Sequence, residues 1–551
     1  MKFKALIPAL VILVVIGCQD MDVTNPNNPS TASVQQDPDD LESLVATSFL
    51  TFWTRTQWTS GAVTATSLSG TFSGGFFCFG VVERGSEPRV PITTQPGAGN
   101  ESHFFPWRDW NRSVAAVQTG LNALREGDVI IGTPENDRTP RTRAFGKFVQ
   151  GISQGYLALT FDQSYVLTDD IVLGDLEFNL ENVDDVKDLL RPYDEVMDQA
   201  LANLDAALEI IDQNNVSIPS ESPERWISGV SLSPEEFKQL IYTYKARFLA
   251  YLPRTRDERA AVEWQQVLDY LDRSYQRDFA PIGQPGIVQS LYKHRLARQR
   301  SDVPSDHVRP NYETIGVTDQ SGQFQEWWAT PWSDRTPFVM EPDDRRIVAE
   351  NWQELDYWEG RGKYIGHHVA NVWAASRGTA HRSYYYWHRT GRGNDWQSGP
   401  ILSITEAEHD LLRAEALLWL GRPAEAIPYI NKTRVANGEL EPVTLDGAPV
   451  NADGNCTPRK YNGECGSLWD AMRWEKRIET MGTEGGFVAW FDRRGWQGLV
   501  EGTELHWPVP LEDQDLLSIQ RYTMGGGLGD SAPPQDVERC PPAIGGLRGC
   551  P

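Results

Sequence analysis

The sequence predicts a mainly α-helical body that carries one irregular, aromatic-rich subdomain. Three observations point there. Apolar residues recur at helical spacing through most of 37–279 and again through 401–481. The stretch 280–400 is instead rich in Pro, Gly and Asp. That stretch also concentrates rings: from Tyr312 to Trp396 there are 16 aromatics in 85 residues, 19% against 11% for the whole chain. So many large apolar side chains mark a folded region rather than a solvated linker.

The elements follow in order. A first helix is expected over 37–58, opened by Asp37-Pro38-Asp39-Asp40 and carrying Leu41, Leu44, Val45, Phe49 and Phe52. The Gly/Ser/Thr-rich stretch 61–100 reads as short strands and loops. Helices follow over 106–126, 141–163, 192–212, 234–252 and 259–279. The series Val196, Ala200, Leu204, Ala207, Leu208 and Ile211 gives the third of these one apolar face. Ser233-Pro234-Glu235-Glu236 is a helix start, with a cap, a proline at the first position and acids in the first turn. After the irregular stretch, 405–419 and 422–436 form a tight pair around Gly421, with Ala414, Ala416, Ala424 and Ala426 allowing close approach. Antiparallel pairs about 34 residues long build tetratricopeptide-like scaffolds. A helix over 467–481 precedes a final segment of turns.

Composition narrows the function. The 551 residues include 51 Lys plus Arg and 76 Asp plus Glu, a net charge of −25. Such an acidic chain lacks the clustered cations that a broad nucleic-acid surface or an anionic bilayer requires.

The first residues read as a targeting segment. Lys2 and Lys4 precede the 12 residues from Ala5 to Ile16, an apolar run broken only by Pro8. That is shorter than the roughly 18 residues a spanning helix needs, and it fits a signal-peptide core. Val15-Ile16-Gly17-Cys18 looks like a lipobox, which predicts cleavage after residue 17 and lipidation of Cys18. Residues 18–36 read as a tether. The divisions expected beyond it are 37–279, 280–400 and 401–551.

The remaining cysteines fit an oxidising compartment. Cys456 and Cys465 flank one short Gly/Asn-rich loop, and Cys540 and Cys550 flank another segment rich in Pro and Gly. Both pairs are expected as disulfides, each contributing ~2–3 kcal/mol by restricting the unfolded chain. Cys78, within Phe76-Phe77-Cys78-Phe79, reads as a buried thiol.

No coherent catalytic constellation emerges. Gly151-Ile152-Ser153-Gln154-Gly155 matches the nucleophile-elbow pattern, but its surroundings have helical periodicity rather than a strand before the serine. The histidines show no metal-binding spacing, and no metal or cofactor is expected. Asp446, Asn451, Asp453 and Asn455 read as a solvated, disulfide-stapled loop rather than a calcium site. Asp343-Asp344-Arg345-Arg346 and Glu475-Lys476-Arg477 read as local charge ladders. The middle segment reads as a ligand surface, because an indole face stacks on the apolar face of a sugar ring. Trp327, Trp328, Trp358 and Trp387 are the expected ligand contacts. Two adjacent tryptophans on a strand would point to opposite faces, so Trp327 and Trp328 are not both expected in the core.

Several landmarks, in order, resemble the SusD/RagB-like family of outer-membrane nutrient-binding lipoproteins. They begin with the lipobox followed by Asp22-Val23-Thr24-Asn25-Pro26-Asn27-Asn28-Pro29 and continue with Gly155-Tyr156-Leu157-Ala158-Leu159-Thr160-Phe161. Next come Thr405-Glu406-Ala407-Glu408 through Leu412-Arg413-Ala414-Glu415-Ala416, then Asn431-Lys432-Thr433-Arg434. Last are Arg473-Trp474-Glu475-Lys476-Arg477-Ile478-Glu479, the run from Phe487 to Arg494, and Trp507-Pro508-Val509-Pro510-Leu511-Glu512. The chain departs from the family pattern at Asp162-Gln163-Ser164-Tyr165 and at Gly482-Thr483-Glu484-Gly485-Gly486. The resemblance implies a tetratricopeptide-like scaffold with a ligand-binding subdomain. It implies a non-catalytic protein, held by its lipid at the outer face of the outer membrane. It also implies capture of a glycan, peptide or other small nutrient for a SusC-like TonB-dependent transporter. The alternatives are a secreted helical polysaccharide hydrolase and a structural surface lipoprotein without a small ligand.

Overall fold

The computed structural model describes residues 37–57, 59–74, 85, 87–92, 101–127, 129–173, 183–221, 224–284, 308–351, 363–367, 383–387, 389 and 399–533. The lipobox with Cys18, and Cys78, Cys540, Cys550 and Trp358, lie outside them.

The Pro38–Gln57 helix begins with Asp39 and Asp40 in its first turn and buries Leu41, Val45, Phe49, Phe52 and Trp53. The expected strands and loops after it give way to a second helix, Thr59–Leu68. Small side chains hide its periodicity, yet small size lets it pack closely: a Cβ at Gly61 would lie 2.7 Å from Pro106. The strand Phe72–Gly74 then pairs antiparallel with Val308–Pro310, joining this end of the chain to the aromatic segment.

Thr139–Thr160 is the central helix, with 19 of its residues buried. It packs on Glu101–Glu126 and on Tyr193–Asn214. Gly151 and Gly155 make this possible. A Cβ at Gly151 would sit 2.6 Å from Leu204, and one at Gly155 would sit 2.1 Å from Phe248. The G-x-S-x-G match is therefore a helix-packing motif. Pro234–Tyr251 starts with the expected capping box between Ser233 and Glu236. The single helix expected over 259–279 is instead two, Arg256–Ala260 and Trp264–Leu271. The break places the Trp264 indole N–H on the Arg259 carbonyl.

The Glu406–Trp419 and Pro423–Ala436 pair forms as read, with Gly421 at φ +71° in the turn. Ala414, Ala416 and Ala426 are buried between neighbours, whereas Ala424 is exposed. Leu468–Glu479 follows. The expected closing turns contain two further helices, Phe487–Gly495 and Leu511–Leu516. All of Phe487–Gly495 is buried, its Asp492, Arg493 and Arg494 included.

One apolar core runs through both helical blocks, from Val45 to Phe279 and from Ile401 to Ala532. Trp264 stacks on Trp419 at 6.2 Å across that junction. Two buried acids complete it: Arg259 donates to Glu415 and Asp492, and Lys476 donates to the same two carboxylates. Breaking any member would leave a buried charge uncompensated. Cys456 and Cys465 form the expected disulfide, with Cα atoms 5.7 Å apart.

Candidate functional site

A second core belongs to the aromatic subdomain. It gathers Phe72, Tyr312, Phe324, Trp327, Trp328, Met340, Tyr385, Trp387, Tyr461 and Trp474. Trp327 and Trp328 lie on the helix Gln323–Ala329, not on a strand. Asp319 accepts the Phe324 N–H at the start of this helix. Both rings are buried, at 4% and 3% exposure. The expectation that they are not both core is corrected by what covers them. Tyr461 stacks on Trp328 at 4.3 Å. Tyr312 and Phe324 flank Trp327 at 5.4 and 6.2 Å. The Arg335 guanidinium lies 4.5 Å from the Trp327 ring and 5.2 Å from the Trp328 ring.

Arg335 also clamps the turn that follows. It donates to the Thr330 and Trp328 carbonyls and pairs with Glu87 at 3.3 Å. Burial pushes its pKa down to about 10, so it remains charged at neutral pH.

Trp387 is likewise buried, at 5% exposure, on the strand Tyr385–Trp387. That strand pairs with Ile365–His367, which pairs in turn with Ile347–Asn351. The Trp387 ring meets Phe72 and Tyr364 edge-on, each at 6.1 Å. Trp327, Trp328 and Trp387 are therefore members of the buried core, a floor beneath the less buried rings.

A half-buried rim of Phe338 and Tyr384 packs against this core, and Trp332 is half-buried in the turn Trp332–Asp334. Phe338 stacks on Tyr312 at 4.3 Å and is followed by Val339, which is 41% exposed. The Tyr312 hydroxyl donates to the Phe338 carbonyl and accepts the Phe338 N–H. The rim backbone is thereby fixed to the floor. Sequence reasoning missed Phe338 and Trp332. The signal was available in Pro331-Trp332-Ser333-Asp334, where polar turn residues surround a ring.

Buried charge anchors this subdomain to the helices. Arg346 donates to Asp344, Glu475 and Glu479, all fully buried. The Tyr364 hydroxyl and Arg389 also reach Glu479. Asp344 and Arg346 of one expected ladder and Glu475 of the other thus meet in one interior cluster, while Lys476 turns to Glu415 and Asp492 and Arg477 to Thr314. The disulfide loop docks here as well: Gln320 donates to the Cys456 carbonyl and accepts from Arg459. Asn451 spends its side-chain oxygen on the Asp453 and Asn455 N–H groups, as a stapled loop would. Among the described residues no cluster of His, Cys, Asp or Glu could hold a metal.

Several carboxyls have raised pKa: Glu484 and Asp492 are buried, whereas Asp162, Asp343 and Asp513 are half-buried. Burial lifts Asp162 and Glu484 to about 7. Burial lifts Asp492 to about 6. Glu484 is fully covered, beside Arg247, Glu408 and Tyr156. A general acid must touch the leaving oxygen of a substrate, which a residue so enclosed does not.

No family profile matches this sequence. A SusD-like protein from Formosa agariphila is 27% identical over 230 residues, covering 38% of this chain and 42% of that protein. The match therefore spans less than half of that relative's length. The fold is similar to that of a SusD superfamily protein from Bacteroides vulgatus, with a TM-score of 0.55 and 12% identity over 89% of this chain and 99% of that one. It is also similar to one from Parabacteroides distasonis, with a TM-score of 0.53 and 12% identity over 87% of this chain and 97% of that one.

Proposed function

We propose that this chain, which has the fold of SusD superfamily proteins, is a surface nutrient-binding lipoprotein. It captures a glycan or another oligomeric nutrient and passes it to a TonB-dependent outer-membrane transporter. The observation that carries this reading is the pair of half-buried rings Phe338 and Tyr384 packed on an aromatic floor, with half-buried Trp332 as a further contact in the proposal. Rings held at fixed positions bind a sugar face with little ordering cost. Trp358 keeps its place in the proposal as a further ligand contact. Trp327, Trp328 and Trp387 support the rim from below. The lipobox at Cys18 supports anchoring to the outer membrane, and the acidic surface supports attachment through the lipid alone.

The test is a panel of oligosaccharides and peptides, with binding and product release measured together, and co-purification from membranes. Binding without product, with a TonB-dependent transporter in the purified material, is the expected result. Released product would favour the hydrolase reading. Absence of binding across the panel would favour a structural lipoprotein. Cys18→Ala should leave the chain soluble or unprocessed; membrane association at mature size would reject the lipid anchor.

A further inference from the structure

Most buried arginines whose charge contacts are described meet a carboxylate. Arg247 meets Glu408, Arg259 meets Glu415, Arg346 meets Asp344 and Arg493 meets Glu313. Arg254 and Arg494 do not. They are 3% and 1% exposed. Arg254 donates to the Ala158, Leu159 and Phe161 carbonyls, at the end of the Thr139–Thr160 helix. Arg494 donates to the Leu505 and Tyr251 carbonyls. Carbonyl dipoles satisfy these N–H groups but carry no net charge to offset two cations. The Nε of each guanidinium has no hydrogen-bond partner.

The two arginines line one cleft, whose space including its mouth is about 280 Å³. Leu499, Leu505, Ala532 and Pro533 form its apolar sides, and Arg256 stands with them. Among the described residues no carboxylate lines it. The nearest acids act from outside. Glu258 accepts the backbone N–H of Arg254, and Asp162 is bonded to the Tyr522 hydroxyl. The positive field reaches His506, which burial and then Arg254 and Arg494 push down to about 2, so its contact with Asp530 is a neutral hydrogen bond.

We propose that this cleft binds a small anion of carboxylate size, held by the charges of Arg254 and Arg494, which no carboxylate among the described wall residues offsets. Apolar walls strengthen such a charge-assisted contact by excluding water. In so acidic a chain, a pocket of this sign selects for anions that the rest of the surface repels. The site is separate from the aromatic rim and does not depend on the nutrient-binding reading.

The experiment is thermal melting and calorimetric titration of the full chain with sodium acetate, chloride and phosphate. A saturable rise in melting temperature is expected for at least one of them. In Arg494→Gln the affinity should fall by about tenfold or more, as loss of one charge-assisted hydrogen bond implies. Arg413→Gln removes an equal charge at the surface and should leave the titration unchanged. If Arg494→Gln does not fold, Arg494→Lys and bromide-soaked crystals replace it. A weakened titration in the lysine variant and an anomalous peak in the cleft support the site. No saturable shift in the unmodified protein, equal titrations in the arginine variants, or bromide only at the outer surface would each overturn it.

Discussion

Tyr461 lies flat against Trp328, with ring centroids 4.3 Å apart and planes 18° from parallel. Tyr461 comes from the loop closed by Cys456–Cys465 and covers one face of Trp328 in the aromatic core. Trp328→Ala should therefore act on folding, lowering stability by ~3–5 kcal/mol through lost burial and the cavity left behind. Chemical denaturation measures this directly. A normal denaturation midpoint with lost ligand binding would instead return Trp328 to the contact surface.

The disulfide has its own expected effect. Replacing Cys456 and Cys465 together by Ser should cost about 2–3 kcal/mol from the freed loop. The same loss should appear in wild type under reducing conditions. A denaturation curve insensitive to reductant would show that Tyr461 docks without the staple.

Gly155→Ala should destabilise the protein by ~1–3 kcal/mol, since the added methyl overlaps the Phe248 ring within a filled core. Ser153→Ala should be nearly neutral, because the Ser153 hydroxyl is buried without a hydrogen-bond partner. Thermal melts of the two variants test the packing role. A catalytic serine would give the same melts, so loss of an activity in the stable Ser153 variant is what would restore the catalytic reading.

Legibility in the sequence followed burial. Tyr193–Asn214 has one apolar and one polar face, so its periodicity gave it away. Thr59–Leu68 carries no such contrast, for want of large side chains, and Phe487–Gly495 spans only nine residues with its charged Asp492, Arg493 and Arg494 buried. The aromatic subdomain was legible as a region. Which rings are floor and which are rim was not. Tyr461 and Arg335, which cover Trp328, come from other segments, and only tertiary packing brings them together. Arg346 shows the same limit for charge: its local partner Asp344 is in view in the sequence, but Glu475 falls in a separate expected ladder and Glu479 in none.

Glu484 makes stability depend on pH. Its pKa rises from 4.5 to about 7, chiefly through burial. The folded state thus holds a proton that the unfolded state has released between these values. Stability from this group is complete below about pH 4.5 and is lost as pH rises through about 7, by roughly 3 kcal/mol at most. Asp162 and Asp492 shift in the same direction. Glu484→Gln should flatten part of the decline, and urea titrations at several pH values test it. A decline of unchanged steepness in the variant would place the effect on the other two acids.

Phe338→Ala and Trp327→Ala should differ in kind. Phe338 is half-buried and has one ring face on Tyr312, so truncation there should leave most of the fold intact. If it stacks on ligand, the variant should lose about 2 kcal/mol or more of binding, as an aromatic hot spot does. Trp327 is enclosed by Tyr312, Phe324 and Arg335, and its truncation should cost ~3–5 kcal/mol of stability before any ligand is added. Melting and ligand titration on the same two proteins decide the matter. Normal binding by Phe338→Ala, by Trp332→Ala and by Tyr384→Ala would remove the rim from the site. Parallel losses of stability in these three variants would show that the rim is packing too.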